Sequence, residues 1–375
     1  MTTYYWVGSG AAGTKNWRVS TYWSLTSGGA GGAGIPNSST DDAYFDTNSP
    51  ADRVRTSYTI NTTIRDLNTV GWTGTFYSGD AVTSLRVFGN ITLGSGTIWE
   101  MNSGATNTRA IITMESTGNQ TIQTNGSKFN VALTITSGIT KLLDDWTSDA
   151  QTNVLRGASL VGGNGTFDAD GYNVNITLVN WTNTTGAVYL RSGTWTINGA
   201  STVNQVWRIF TQLTYPGTST VKFTGDSVIF TSPAEQTTNN SFYNLTFDGP
   251  ANATYRWKTN GFTSRVVNNF TVTTPAPCTI NMEVVPSNVT TWQFDGNVTI
   301  NGTPSNYITL KSFTNEYFYM NNNSGSNKTL TYAAIANFYG SNGSWTGDYC
   351  NNLGRNVNIT FTNSFGGSFM SVLVA

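Results

Sequence analysis

The chain has 375 residues and a formal net charge of −1, with only 10% charged residues. The 19 Lys and Arg are scattered, and a surface that tracks phosphates needs them clustered, so composition argues against nucleic-acid binding. Aromatic residues make up 13%, including 12 Trp, which excludes a disordered chain: such chains lack the apolar area that offsets ordering entropy.

Thr, Asn, Ser and Gly together supply roughly half of the residues, far above average usage. Thr favours strands, while Asn and Gly accept the left-handed backbone of tight turns. The mixture predicts many short strands separated by sharp turns. No apolar run approaches the ~18 residues that a membrane helix needs. The opening Met1-Thr2-Thr3-Tyr4-Tyr5-Trp6 lacks the basic-then-apolar pattern of a signal peptide. A protein made in a cytoplasm and released by lysis is the expectation.

Residues 1–56 differ in character from the remainder of the chain. Trp6, Trp17 and Trp23 lie among Gly-rich turns, ahead of the run Ser27-Gly28-Gly29-Ala30-Gly31-Gly32-Ala33-Gly34-Ile35-Pro36. A solenoid leaves an open apolar end that must be covered. The segment is expected to be that cap, with Trp6, Trp17 and Trp23 as candidate docking residues. The Gly-rich run is succeeded by neither Gly-Lys-Ser/Thr nor a helical pattern, so it reads as a loop and not as a phosphate cradle.

Residues 57–340 carry a recurring unit, an apolar–polar alternation often written Asn-x-Thr-x. Copies begin at Asn90, Ala132, Asn175, Asn244, Asn269, Asn297 and Asn358. The period of two indicates strands, and between Asn244 and Asn297 the copies recur about every 25 residues, a solenoid spacing. The best helical candidate, Lys141-Leu142-Leu143-Asp144-Asp145-Trp146, is short and reads equally as a turn. β-Sandwich hairpins would show paired strands with two-residue turns. Single strands recur here at one coil's length, so the predicted fold is all-β: a right-handed parallel β-helix with a small Trp/Gly-rich N-terminal cap. Stacked coils would align Asn and Thr into hydrogen-bonded ladders, and ~13 coils at ~4.8 Å would give a rod of about 60 Å. Residues 341–375 form the expected closing segment.

The N-terminal pattern Tyr5-Trp6-Val7-Gly8-Ser9-Gly10, Asn16-Trp17, Tyr22-Trp23-Ser24, the Gly-rich run, Asp41-Asp42 and Phe45-Asp46 resembles the opening of a widespread group of bacteriophage and environmental-virus proteins. The stretch Trp345 and Asn351-Asn352-Leu353-Gly354-Arg355-Asn356-Val357-Asn358-Ile359-Thr360-Phe361 resembles their closing pattern. The resemblance implies a β-helix on a virion surface with a structural or adhesive role, and it transfers no catalytic residue. Between these motifs the likeness is one of style only.

No histidine is present, which excludes Ser-His-Asp and Cys-His catalysis and His-ligated zinc. Cys278 and Cys350 are too few and too far apart in sequence for a metal site, and two buried free thiols are the simpler expectation. Glycoside hydrolysis needs two carboxylates ~5–9.5 Å apart; Asp144 with Asp145 and Asp168 with Asp170 are the obvious pairs, and turns are the competing account of both. Asp41 with Asp42 offers too few oxygens for calcium. Trp181, Trp195, Trp207, Trp257 and Trp292 are core residues or a sugar platform, with core favoured. Asn315-Glu316-Tyr317-Phe318-Tyr319-Met320 is a candidate partner-binding patch.

The resulting expectation is a non-enzymatic virion structural protein, a tail fibre or adhesin or else a head decoration protein. It needs no cofactor and no metal. Its partners are other virion proteins of capsid or tail, a host surface glycan, and further copies of itself, a trimer for an adhesin. A tailspike-type polysaccharide depolymerase and a bacterial surface adhesin are the alternatives.

Overall fold

The computed structural model describes residues 1–8, 13–56, 61–77, 84–100, 110–149, 157–181, 185–201, 205–209, 214–231, 242–258, 264–275, 277–284 and 291–363. It is an all-β parallel solenoid with essentially no helix; among the described residues one short 3-10 turn occurs, Ser20–Tyr22.

Each strand shows the alternation that its sequence dictates. Thr194–Ile197, Thr220–Phe223 and Thr291–Phe294 each bury their second and fourth residues and leave Thr, Lys or Gln half-exposed. Successive side chains on a pleated strand point to opposite faces, so this pattern fixes an inside and an outside. The strands stack into two ten-strand sheets, one of 13 strands, and shorter sheets of four and three. The 13-strand sheet runs from Thr62–Ile64 to Asn351–Asn352, a length of about 60 Å at ~4.8 Å per rung.

Between named strands every pairing but one is parallel among the described residues. The exception is Trp23–Ser24, which runs antiparallel to Thr2–Trp6 and forms the outer edge of its sheet. Thr2–Trp6 also pairs in parallel with Asp41–Tyr44, and Thr14–Asn16 pairs with Arg53–Arg55. The first 56 residues therefore supply an edge-closing strand and, beneath it, the first rungs of the stack. The Gly-rich run forms the turns around that edge. A Cβ on Gly31 would sit 1.9 Å from the Thr21 carbonyl oxygen, and Gly28, Gly32 and Gly34 hold positive φ, so the run serves backbone approach.

The interior is one continuous core. All twelve indoles are buried at 2% exposure or less. Ring contacts form an unbroken series along the stack, from Trp6 through Phe45, Trp72, Phe76, Trp99, Phe129, Trp146, Phe167, Trp195 and Trp207. It continues through Phe242, Trp257 and Phe294 to Trp345 and Phe338. Tilted and edge-on rings are the geometry their quadrupoles prefer.

The densest Asn-x-Thr copies stack as expected. Asn244 lies opposite Asn269, and Asn269 opposite Asn297. The Asn244 Oδ1 accepts from the side-chain amides of Asn268 and Asn269, and the Asn269 Oδ1 accepts from Asn297. The Lys141–Trp146 stretch is not a helix: Ile139–Leu142 and Trp146–Thr147 are strands in different sheets, and Leu143 to Asp145 turn the corner between them.

Candidate functional surface

Trp6, Trp17 and Trp23 occupy the end of the core. Trp6 packs edge-on against Trp23 at 5.1 Å and Trp17 against Trp23 at 4.8 Å, with Phe45 touching all three. The Trp6 indole N–H donates to Asp52 and that of Trp23 to the Trp17 carbonyl. Their rings present no surface to a partner, so docking through this end would use the residues around them. Trp181, Trp195, Trp207, Trp257 and Trp292 are likewise core, which leaves no indole on the outside as a sugar platform.

The carboxylate pairs are committed to links between coils. Asp168 accepts two bonds from the Arg191 guanidinium, at 2.8 and 2.6 Å, and one from the Asp170 amide. Burial alone would raise the Asp168 carboxyl, but these donors outweigh it and hold it below the ordinary carboxylate value. Asp170 pairs with Lys141 on the preceding coil. Asp144 accepts the amides of Thr124 and Asn125, and Asp145 accepts the amide and side chain of Asn173. Asp42 is held by both forks of Arg65, while Asp41 accepts the Asn37 amide. Among the described residues no three His, Cys, Asp or Glu cluster in a way that would hold a metal ion. Cys278 and Cys350 are free and buried, and burial pushes their thiols up to about 12 and about 11.

Cross-coil ion pairs recur along the outside: Arg53 with Glu100, Arg86 with Glu115, Arg256 with Glu283 and Arg265 with Asp295. Several of these arginines also lie over rings, as Arg53 does over Tyr77 at 3.7 Å, and so does Arg191, the partner of Asp168, over Tyr189 at 4.7 Å. Tyr189 itself stacks on Tyr215 of the next coil at 4.4 Å.

The surface that differs from this pattern lies in the C-terminal third, at the corner between the 13-strand sheet and the neighbouring ten-strand sheet. The loop after Ile308–Ser312 carries Phe313, 48% exposed, beneath the Arg256 guanidinium at 3.6 Å. It continues to Asn315 and Tyr317 and enters Phe318–Asn322, where Phe318 and Met320 point inward and Tyr319 outward. Tyr339, one coil on, lies opposite Tyr319, with ring centroids 4.9 Å apart, and Tyr317 packs edge-on to it at 6.3 Å. Arg355 sits 5.0 Å from the Tyr317 ring centre and donates to the Asn315 carbonyl at 2.6 Å. Leu353, two residues before it, is 57% exposed. The candidate stretch Asn315–Met320 thus divides: its tyrosines join this patch, and Phe318 and Met320 join the core. Phe313, Tyr339 and Arg355 are additions that only the structure makes, and the one sequence sign of them is the Phe318-Tyr319 alternation returning as Phe338-Tyr339.

No family model matches the chain, and no curated protein and no solved structure shows significant similarity to it.

Proposed function

We propose that the protein is a non-enzymatic structural component of a bacteriophage particle, exposed on the virion surface as a tail fibre or adhesin or as a head decoration protein. The observation that carries the reading is the uninterrupted parallel stack with its aromatic core, an arrangement suited to a stiff, durable shaft. Each rung is tied to the next by backbone hydrogen bonds, and ion pairs, Asn ladders and ring contacts reinforce the join. The neutral, polar exterior suits long exposure to water. The likeness of the N-terminal Trp/Gly pattern and the closing Asn351–Phe361 stretch to virus β-helix proteins supports the same reading. Other virion proteins would be the attachment partners at one end, and a homo-oligomer is the expected working form.

Gold-labelled antibody against the chain, imaged on purified particles, tests the proposal. Regular labelling of tail tips or of the shell is expected. Label absent from intact particles overturns it. A reducing-sugar assay on host polysaccharide separates it from the depolymerase alternative, because released oligosaccharide requires hydrolysis.

A further inference from the structure

We infer that the C-terminal corner patch formed by Phe313, Tyr317, Tyr319, Tyr339, Lys311 and Arg355 binds a glycan bearing carboxylate groups, of the uronic or sialic acid type. The inference rests on the attachment form of the virion-surface reading and names the ligand class for it.

Three observations converge. First, with every indole inside, outward aromatic surface comes from tyrosines and from a few phenylalanines, of which Phe313 is the most exposed, and here four rings lie along a single loop and two adjacent coils. A half-exposed tyrosine offers an apolar face to sugar C–H groups and a hydroxyl to sugar oxygens, at little cost in side-chain entropy. Second, two cations here stand outside the ion pairs that hold six of the shaft's arginines; Arg18, near the other end, is a third, donating to the Asn61 carbonyl and without an ion pair among the described residues. Arg53, Arg65, Arg86, Arg191, Arg256 and Arg265 each hold a carboxylate. Arg355, which is exposed, has none among the described residues: one nitrogen donates to the Asn315 carbonyl, and the guanidinium lies 5.0 Å from the Tyr317 ring centre. Lys311, exposed two residues before Phe313, is also without an ion pair among the described residues. Glu316, in the same loop, offsets one of these two cations. A planar fork with free donors matches the two oxygens of a carboxylate. Third, Arg355 is held at φ 53°, a left-handed conformation in which Asn or Gly would be less strained. Most other non-glycine residues at positive φ in this region are asparagines. Strain of this kind gathers where a side chain must be aimed.

Full-length protein on an array of uronic, sialic and neutral oligosaccharides, with titration calorimetry on the hits, gives the test. Binding to acidic members is expected, at least tenfold tighter than to neutral ones and weakening as salt rises. Arg355→Asn accepts the same backbone and keeps the fold, and it should reduce that binding at least tenfold. Tyr339→Ser should do the same through the ring face. A blank array, equal binding of neutral glycans, or full binding by Arg355→Asn overturns the inference. So does sedimentation showing that Arg355→Asn dissolves a self-association, because the patch would then belong to a second copy. Label on particles with a blank array sinks this inference alone. Acidic-glycan binding by a chain absent from particles sinks the virion reading alone.

Discussion

Trp257→Ala is the sharpest probe of how the shaft is held together. The indole is wholly buried, and six rings surround it: Phe230 at 5.3 Å, Phe270 at 5.5 Å, Phe247 at 6.1 Å, and Phe242, Trp292 and Phe294 at 6.3 Å. A Trp ring buries ~200 Å², which at ~25 cal/mol per Å² corresponds to about 5 kcal/mol. The methyl group that remains recovers a little of this and the cavity adds to the loss, so about 4–5 kcal/mol is expected, at the upper end for such truncations. In a stacked array each coil leans mainly on its neighbours. The loss should therefore stay local, and a single global unfolding energy is the wrong readout. Hydrogen exchange read by mass spectrometry resolves it. Peptides covering 227–231, 254–258 and 291–294 should lose protection, while 75–77, 98–100 and 119–123 keep theirs. Uniform loss along the chain would refute the nearest-neighbour account. Unchanged protection around residue 257 would refute the packing argument itself.

Named contacts imply three further outcomes. The carboxyls of Asp149, Asp168 and Asp248 lie below their ordinary value; burial opposes this in each, and donors from Lys128 and Asn130, from Arg191, and from Lys222 and Thr273 outweigh it. Folding is therefore favoured by these groups above the unfolded carboxylate value and loses that support as pH falls through their depressed values. Thermal midpoints should drop there, by an amount that shrinks in Asp168→Asn, with about 1 kcal/mol or less for each such half-exposed pair. Cys278 and Cys350 should resist iodoacetamide at pH 8 in the native protein and react fully once unfolded, as mass spectrometry would read. Gly296→Ala would place a Cβ 1.6 Å from the Asn268 carbonyl oxygen of the preceding coil, so it should destabilise by about 1–3 kcal/mol, visible as raised exchange in 264–272 and 297–300.

The strand period and the coil length were legible because both depend on local pattern. The Asn244, Asn269 and Asn297 copies recur at nearly equal steps, and they stack. The other copies do not share that ladder. Asn90 opens a copy in one ten-strand sheet, Ala132 lies in the 13-strand sheet, and Asn175, though in the same ten-strand sheet as Asn244, pairs with Thr196. Turns of unequal length explain this. The step from Ala132 to Ser159 is longer than that from Ser159 to Leu178, although each joins adjacent rungs of one sheet. Unequal steps erase sequence periodicity without disturbing the stack. The roles of the carboxylates were illegible for the same reason, since Asp168 meets Arg191 only once the register is known.

The corner patch shows what such an architecture permits. The parallel ladder fixes each inward residue against two neighbours, so interior positions admit little but packing. Outward positions carry no such obligation, and many of the charged and amide residues among them are nonetheless tied to another coil by an ion pair or an amide ladder. Arg355 stands outside that scheme: it holds a left-handed backbone, and its links to an earlier coil are one tyrosine ring and one carbonyl in place of a carboxylate. A glycine or asparagine there would relieve the strain and leave the rungs intact. The C-terminal third also groups Tyr307, Tyr332 and Tyr349 on another flank, with Tyr332 and Tyr349 stacked at 5.2 Å and both at positive φ. Left-handed non-glycine backbone thus accumulates toward the C-terminal end, while half-exposed rings occur at both ends, with Tyr5 on Tyr44 at 5.6 Å near the N-terminus. Under the proposed virion role the Trp-filled end would attach and the C-terminal end would recognise, and the bias of left-handed backbone toward the C-terminal end is the feature that a mere spacer would have no cause to carry.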